Sequence, residues 1–263
     1  MSLDMGVFCK NTLDGEVVDH CFSALFGLGK NADPSYLDWL LKAWGWTLAV
    51  AGLGLAIALI LGAVMGTLRT LPKSGRGTSF LIALSTAWVE LFRNIPILVQ
   101  VFLWYHVIPA FIPSLKAFPS YLLVSIALGF FTSARIAEQV RAGIQSLPSG
   151  QRMAATALGL TTIQSYRYVI LPMALRIVLP PLTSESMNLI KNSSVAFAVS
   201  VPELTLFAMQ AQEETSHGVE IYLAVTALYA LSAFAVNRVM ARIEKSTRIP
   251  GFIAASNDAG LAH

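Results

Sequence analysis

Four long stretches of this chain contain no Asp, Glu, Lys or Arg: residues 43–68, 94–115, 117–134 and 221–237. A helix rises about 1.5 Å per residue and the hydrocarbon core of a bilayer is about 30 Å thick, so about 20 apolar residues cross it. Only 13% of the 263 residues are charged, which is roughly half the share in a soluble domain. The sequence therefore predicts an all-α, polytopic membrane protein.

The hydropathy pattern predicts five membrane spans, at residues 43–68, 80–112, 121–136, 177–201 and 221–239. The second segment would be about 50 Å long as one helix, which is too long for a straight crossing. We expect it to be kinked or partly interfacial, with a break at Pro96. Pro180 and Pro181 should likewise interrupt the helix at the start of the fourth span.

The distribution of basic residues sets the orientation, because cytoplasmic loops carry an excess of Lys and Arg. Twelve of the 18 basic residues fall on one side of the predicted spans and four on the other, while Arg93 and Lys191 fall inside spans. The richer side is assigned to the cytoplasm, so the N-terminus lies outside and the C-terminus inside. This topology accounts for the basic residues, so membrane lipid and not nucleic acid is the expected partner.

The chain then divides into an outer N-terminal segment, a transmembrane domain with a long cytoplasmic loop, and a cytoplasmic tail. Their bounds are residues 1–42, 43–248 (loop 138–172) and 249–263. Both cysteines, Cys9 and Cys21, lie in the outer segment. A disulfide between them and two free thiols are both compatible with that compartment.

Motifs of catalytic and nucleotide-binding sites are missing from the sequence. It has no Gly-x-x-x-x-Gly-Lys-Ser/Thr, His-Glu-x-x-His or Gly-x-Ser-x-Gly pattern. Its four histidines are scattered without metal-ligand spacing. We therefore expect neither an enzyme nor a metal or cofactor site, and any energy for pumping must come from a partner.

The cytoplasmic loop is predicted to contain a short helix. Pro148 ends the preceding helix, residues 151–158 are mostly good helix formers, and Gly159 suits the left-handed position beyond a helix end. Thr161 and Gln164 have the spacing of a capping box for the next helix. Small side chains on the short helix would form a flat surface that another protein can approach closely: Ala154, Ala155 and Ala157.

These residues carry a resemblance to a known family. The pattern Ala154-Ala155-x-x-x-Gly159, followed by Leu171-Pro172, resembles the Glu-Ala-Ala loop of permease subunits in ATP-binding-cassette importers. Further segments resemble the polar amino-acid branch of that family, and most of all its glutamate/aspartate permeases: residues 89–100, 132–148, 168–172 and 179–194. Met153 replaces the glutamate that leads the family motif.

The resemblance implies a type I importer permease fold in a bacterial inner membrane, with the N-terminus in the periplasm. It implies a second permease subunit, a cytoplasmic ATPase dimer that binds ATP and Mg, and a periplasmic amino-acid-binding protein. The short helix would be the coupling helix that docks on the ATPase. Its coupling residues would be Met153, Ala154, Ala155, Gly159, Leu171 and Pro172.

Ionisable side chains inside a span are costly and are therefore functional candidates. The translocation-pathway candidates are Glu90, Arg93, Glu185, Asn188, Lys191 and Asn192. In one interpretation Arg93 or Lys191 meets the substrate's carboxylates. In the other, Glu90–Arg93 and Glu185–Lys191 are structural pairs within the bundle. The second interpretation is favoured, because these motifs look generic to the amino-acid branch.

Residues 202–220 form an acidic segment between the last two predicted spans, with Glu203, Glu213, Glu214 and Glu220. We expect a solvated loop there, with contact to the binding protein as the alternative.

The leading hypothesis for the whole chain is the importer permease. A passive channel subunit is the alternative, but it gives no reason for an alanine-rich docking helix, and a membrane enzyme lacks a catalytic constellation.

Overall fold

The computed structural model describes residues 3–13, 15–17, 21 and 35–247. In these residues the fold is helical, and β-structure is limited to isolated bridges in the N-terminal segment. The main helices are α1 Tyr36–Leu68, α2 Arg76–Asn94, α3 Ile97–Phe111, α4 Ser120–Gln145, α5 Ser149–Ala157, α6 Thr162–Val199, α7 Leu204–Thr215 and α8 Gly218–Thr247. The predicted tail, residues 249–263, and most of residues 1–34 lie outside the described part.

Three of the described helices, α1, α4 and α8, are long and apolar enough to cross a membrane. The bent pairs α2–α3 and α6–α7 raise the number of candidate spans to five. The predicted all-α, five-span class is therefore confirmed. The predicted break at Pro96 is confirmed as well, since α2 and α3 meet there at 107°.

The predicted interruption at Pro180 and Pro181 is wrong. Both prolines lie inside a continuous α-helical stretch of α6, Leu171–Asn192. Each proline removes one backbone hydrogen bond, but α6 packs along both α4 and α8. Neighbouring helices of this kind allow proline within spanning helices, so the stretch stays helical.

Helix α4 forms the centre of the bundle, and α1 runs along it in the same direction. A methyl group at Gly62 would come within 2.5 Å of Ile136, and one at Gly66 within 2.6 Å of the Ala137 carbonyl oxygen. Along this contact between the two helices, which we call the α1–α4 seam, residue numbers increase in the same direction on both helices. Helices α1 and α4 are therefore parallel. The segment between them must therefore return across the bundle.

The N-terminal segment packs on the end of the bundle where α1 begins. A disulfide joins Cys9 and Cys21, which decides between the two states left open by the sequence. Ser35 begins α1 with a capping box to Asp38. Val7 is buried in a cluster with residues of α1, α7 and α8. We call this end the outer end and the opposite one, where α1 ends and α5 lies, the α5 end.

The expected solvated acidic loop is wrong, because most of that segment is helix α7. Glu203 is fully buried and accepts hydrogen bonds from the Thr205 and Leu206 amides and from the Tyr229 hydroxyl. Two further acids in the segment also have partners: Glu214 accepts from Tyr36, and Glu220 accepts from the Asp4 amide. Side-chain oxygens that accept from the first amides of a helix stabilise its N-terminus, which explains why Glu203 caps α7.

Candidate functional site

The short helix predicted in the long loop exists as α5, Ser149–Ala157. It ends in a Schellman motif, in which the Gly159 amide bonds to Thr156 O and the Leu160 amide to Ala155 O. Gly159 has a φ of 75°, as expected for the left-handed position. The predicted capping box of Thr161 and Gln164 is also present.

The exposed face of α5 is more apolar than the alanine pattern suggested. Ala154 is exposed, but Ala155 is only 2% exposed and packs into the protein. Ala155 therefore does not belong to a flat outer surface. Instead, Met153 and Leu158 present large apolar side chains that are 63% and 80% exposed. The exposed surface of α5 suits an apolar partner better than a charged one.

The loop around α5 is tied to the end of α1. The Tyr166 hydroxyl donates to Thr70 O, just beyond the last turn of α1, and the Arg152 guanidinium lies 5.9 Å from the Tyr166 ring centre. Leu171 and Pro172 follow the π-helical stretch Tyr166–Ile170 and are both exposed. These contacts connect α5 to the end of α1 and to the start of α6.

Three arginines surround a single carboxylate at the α5 end. Glu138 on α4 binds Arg69, accepts from Arg141 at 2.8 Å, and lies 3.5 Å from Arg93. Glu138 opens the predicted loop 138–172, but α4 continues through it to Gln145. The cluster thereby joins the ends of α1 and α2 to α4.

A second ion pair links α4 to α6. Arg135 donates two hydrogen bonds to the Glu185 carboxylate, from Nε at 2.8 Å and from Nη2 at 3.0 Å. The Gln139 amide adds a third at 3.2 Å. The Glu185 side chain is 7% exposed. The pair is bidentate, with a buried carboxylate and a partly exposed guanidinium, and bidentate geometry fixes the relative positions of α4 and α6.

The two structural pairs expected from the sequence are not formed. Glu185 binds Arg135 and not Lys191, since six residues along a helix place two side chains about 120° apart. Arg93 approaches Glu138 and not Glu90, which is exposed. Among the polar residues of α6, Asn188 and Asn192 are half-buried and Lys191 is exposed. Lys191 forms no ion pair with the described residues.

Arg135 and Gln100 are the important residues that the sequence interpretation missed. Arg135 was counted among the basic residues of the cytoplasmic side, next to the end of the predicted span 121–136, whereas the helix continues to Gln145 and Arg135 lies within it. Gln100 is fully buried and donates to the carbonyls of Phe92 and Ile95 at the bend before α3. A glutamine four residues after a mid-span proline was the available signal.

Within the described residues, no three His, Cys, Asp or Glu side chains cluster as metal ligands.

The candidate spans, together with a short helix that exposes large apolar side chains at one end, define a polytopic membrane protein. Residues 58–249 match the family described as the binding-protein-dependent transport system inner membrane component. The chain belongs to this family and is therefore a transport subunit of the inner membrane.

Several relatives and solved structures are similar to this chain over most of its length. The glutamate/aspartate import permease protein GltJ of Escherichia coli (strain K12) is 41% identical over 227 residues, covering 82% of this chain and 90% of the relative. The probable glutamine permease GlnM of Bacillus subtilis (strain 168) is 36% identical, covering 76% and 91%. The solved amino acid ABC transporter with histidines has 26% identity and a TM-score of 0.69, covering 80% and 95%. The MetNI methionine ABC transporter, at 22% identity and a TM-score of 0.69, covers 80% and 97% and supports the fold alone.

Proposed function

We propose that this chain is the membrane-spanning permease subunit of an ATP-driven importer of polar amino acids, with glutamate and aspartate as substrates. The observation that carries the proposal is the 41% identity to a glutamate/aspartate import permease across 82% of the chain. The excess of Lys and Arg at the α5 end supports an orientation with α5 in the cytoplasm and the N-terminus in the periplasm.

Helix α5 is the coupling helix in this proposal. Its exposed Met153, Ala154 and Leu158 would dock on a cytoplasmic ATPase dimer that binds ATP and Mg. Gly159 and the following capping box fix the angle at which the chain turns back toward Leu171 and Pro172. Because Met153 stands where the family motif has glutamate, docking would rest on apolar contact and not on a salt bridge.

The proposal also includes a second permease subunit and a periplasmic amino-acid-binding protein. Only 28% of the most apolar part of α1 and 22% of that of α8 are buried, compared with 61% for α4. The polar side of α6 is open as well, at Ser184 and Lys191. A pathway for a polar substrate needs a second wall, which a second permease would supply.

The test is reconstitution of the chain with its ATPase, permease and amino-acid-binding-protein partners in liposomes, followed by ATP-dependent glutamate uptake. Ala154→Glu, at an exposed position on α5, should abolish uptake and release the ATPase on purification. Gln210→Glu, at an exposed position on α7, is the matched control and should preserve both. Glutamate permeation that needs no ATPase, with Ala154→Glu silent, would contradict the proposal and favour a passive channel.

A further inference from the structure

Both ends of α2 lie at the α5 end of the bundle. Its first residue, Arg76, is joined to the end of α1 by the short linker 69–75. Near its last residue, Arg93 lies 3.5 Å from Glu138, which also binds Arg69 just beyond α1. A helix of 19 residues is about 28 Å long and would carry Arg93 to the outer end if it crossed the bundle. Helix α2 therefore does not cross.

The return crossing between the parallel helices α1 and α4 is made by α3. It starts at Ile97 after the 107° bend. Its Val101 is fully buried beside Val50 of α1 and Val124 of α4, which lie toward the outer end of both helices. The chain thus leaves the α5 end at the bend and not at Arg76.

The bend between α2 and α3 is held by a specific contact. Gln100 Nε2 donates to Phe92 O at 2.9 Å and to Ile95 O at 3.0 Å. Pro96 has no amide hydrogen and cannot bond to the Phe92 carbonyl four residues before it, so that carbonyl needs another donor. This fully buried side chain of α3 bonds to the last turn and C-cap of α2 and so fixes the direction of α2 relative to α3.

Helix α2 has three distinct faces. Val89 and Phe92 are buried against α4. Phe80, Leu84 and Leu91 are 66%, 50% and 54% exposed. Their spacing of four and seven residues places them on one face. Polar positions follow on another side, about 100° away: Ser79 and Glu90, both exposed.

We propose that α2 lies in the plane of the membrane interface at the α5 end, bound to the lipid headgroup layer. Phe80, Leu84 and Leu91 rest on the acyl chains, while Glu90 faces water. Lys73 and Arg76 are exposed, form no ion pair with the described residues, and complement the phosphates of the headgroups. This placement removes Glu90 and Arg93 from the hydrocarbon core, where ionised side chains are costly.

The test is a depth measurement on the full chain in lipid nanodiscs. Nitroxide labels are attached at Phe80→Cys, Leu84→Cys and Leu91→Cys, and depth is read from their relative accessibility to oxygen and to a water-soluble nickel chelate. A matched series on the crossing helix α8 is labelled at Leu223→Cys, Leu231→Cys and Val239→Cys, which are equally exposed. The disulfide-bonded cysteines do not react with the label.

The three α2 labels should lie at one shallow depth, within about one helical turn or 5 Å, while the α8 series passes through the bilayer centre. A label at Glu90→Cys should be fully accessible to the chelate. A graded depth that differs by about 16 Å between Phe80 and Leu91 would overturn the proposal. So would full chelate access for all α2 labels, because α2 would then not touch lipid.

Discussion

At the residue scale, the Arg135–Glu185 pair is unequal in its surroundings. The Glu185 side chain is 7% exposed and the Arg135 side chain 43% exposed. Removing the arginine leaves a carboxylate that cannot reach solvent. Removing the carboxylate leaves a guanidinium that can turn toward water or a polar headgroup. The two partners therefore have unequal importance for stability.

We expect Arg135→Gln to lower the free energy of unfolding by about 3 kcal/mol, as for other broken buried pairs. Glu185→Gln should cost only about 1 kcal/mol, because its amide oxygen still accepts from Arg135 or Gln139. Thermal unfolding of the detergent-solubilised chain measures both changes. The double variant should be more stable than Arg135→Gln alone. Equal losses in the two single variants would contradict this account.

Gln100 is a second residue whose role follows from the hydrogen bonds that its side chain donates. We expect Gln100→Met, which keeps the side-chain length, to lower the free energy of unfolding by about 1–3 kcal/mol, because the carbonyls of Phe92 and Ile95 lose their donor. The control is Gln210→Met, which replaces an exposed glutamine on α7. Thermal unfolding midpoints of the two variants should differ by several degrees. Matching midpoints would mean that the bend does not need Gln100.

At the scale of elements, the α1–α4 seam depends on glycines that let the two backbones approach closely. The space beside Gly66 is limited by the backbone of α4, at the Ala137 carbonyl, and by the Val140 side chain. Gly52 lies on the same helix with open space beside it. The same substitution at these two positions therefore has opposite effects.

We expect Gly66→Ala to destabilise the bundle by about 1–3 kcal/mol, because a carbonyl oxygen 2.6 Å away forces the helices apart. Gly52→Ala should be neutral or stabilising by up to about 1 kcal/mol, since alanine favours a helix over glycine. Thermal unfolding of both variants in the same detergent gives the comparison. Tolerance of Gly66→Ala would show that α1 and α4 can separate at their α5 end without cost.

At the scale of the whole molecule, the sequence predicts spans and local helix ends better than partners in space. The helix at Ser149–Ala157, its end at Gly159 and the bend at Pro96 depend on nearby residues, and all were predicted. The pairing of Arg135 with Glu185 joins positions 50 residues apart. It depends on how far α4 extends and how α6 is rotated, and neither is encoded in local spacing.

The partners of the polar side chains on α6 also could not be predicted from the sequence alone, because they depend on the assembly. Lys191 was expected to pair with Glu185, but Arg135 takes that carboxylate. Lys191 remains exposed and forms no ion pair within residues 35–247 or the described N-terminal residues. An unpaired cation inside a bilayer is costly, so the Lys191 side chain should face water or another chain. The proposed pathway between two permeases provides both.

If Lys191 lines that pathway, its charge should act on the transport of acidic substrates and not on folding. We expect Lys191→Gln to reduce glutamate uptake into liposomes by about tenfold, equivalent to about 1.4 kcal/mol, and Lys191→Arg to retain most of it. Assembly with the ATPase and the thermal midpoint should stay unchanged. Lys245→Gln, at an exposed position near the end of α8, controls for loss of charge alone. Unchanged uptake in Lys191→Gln would place the pathway elsewhere, whereas loss of assembly would make Lys191 an interface residue between permease subunits.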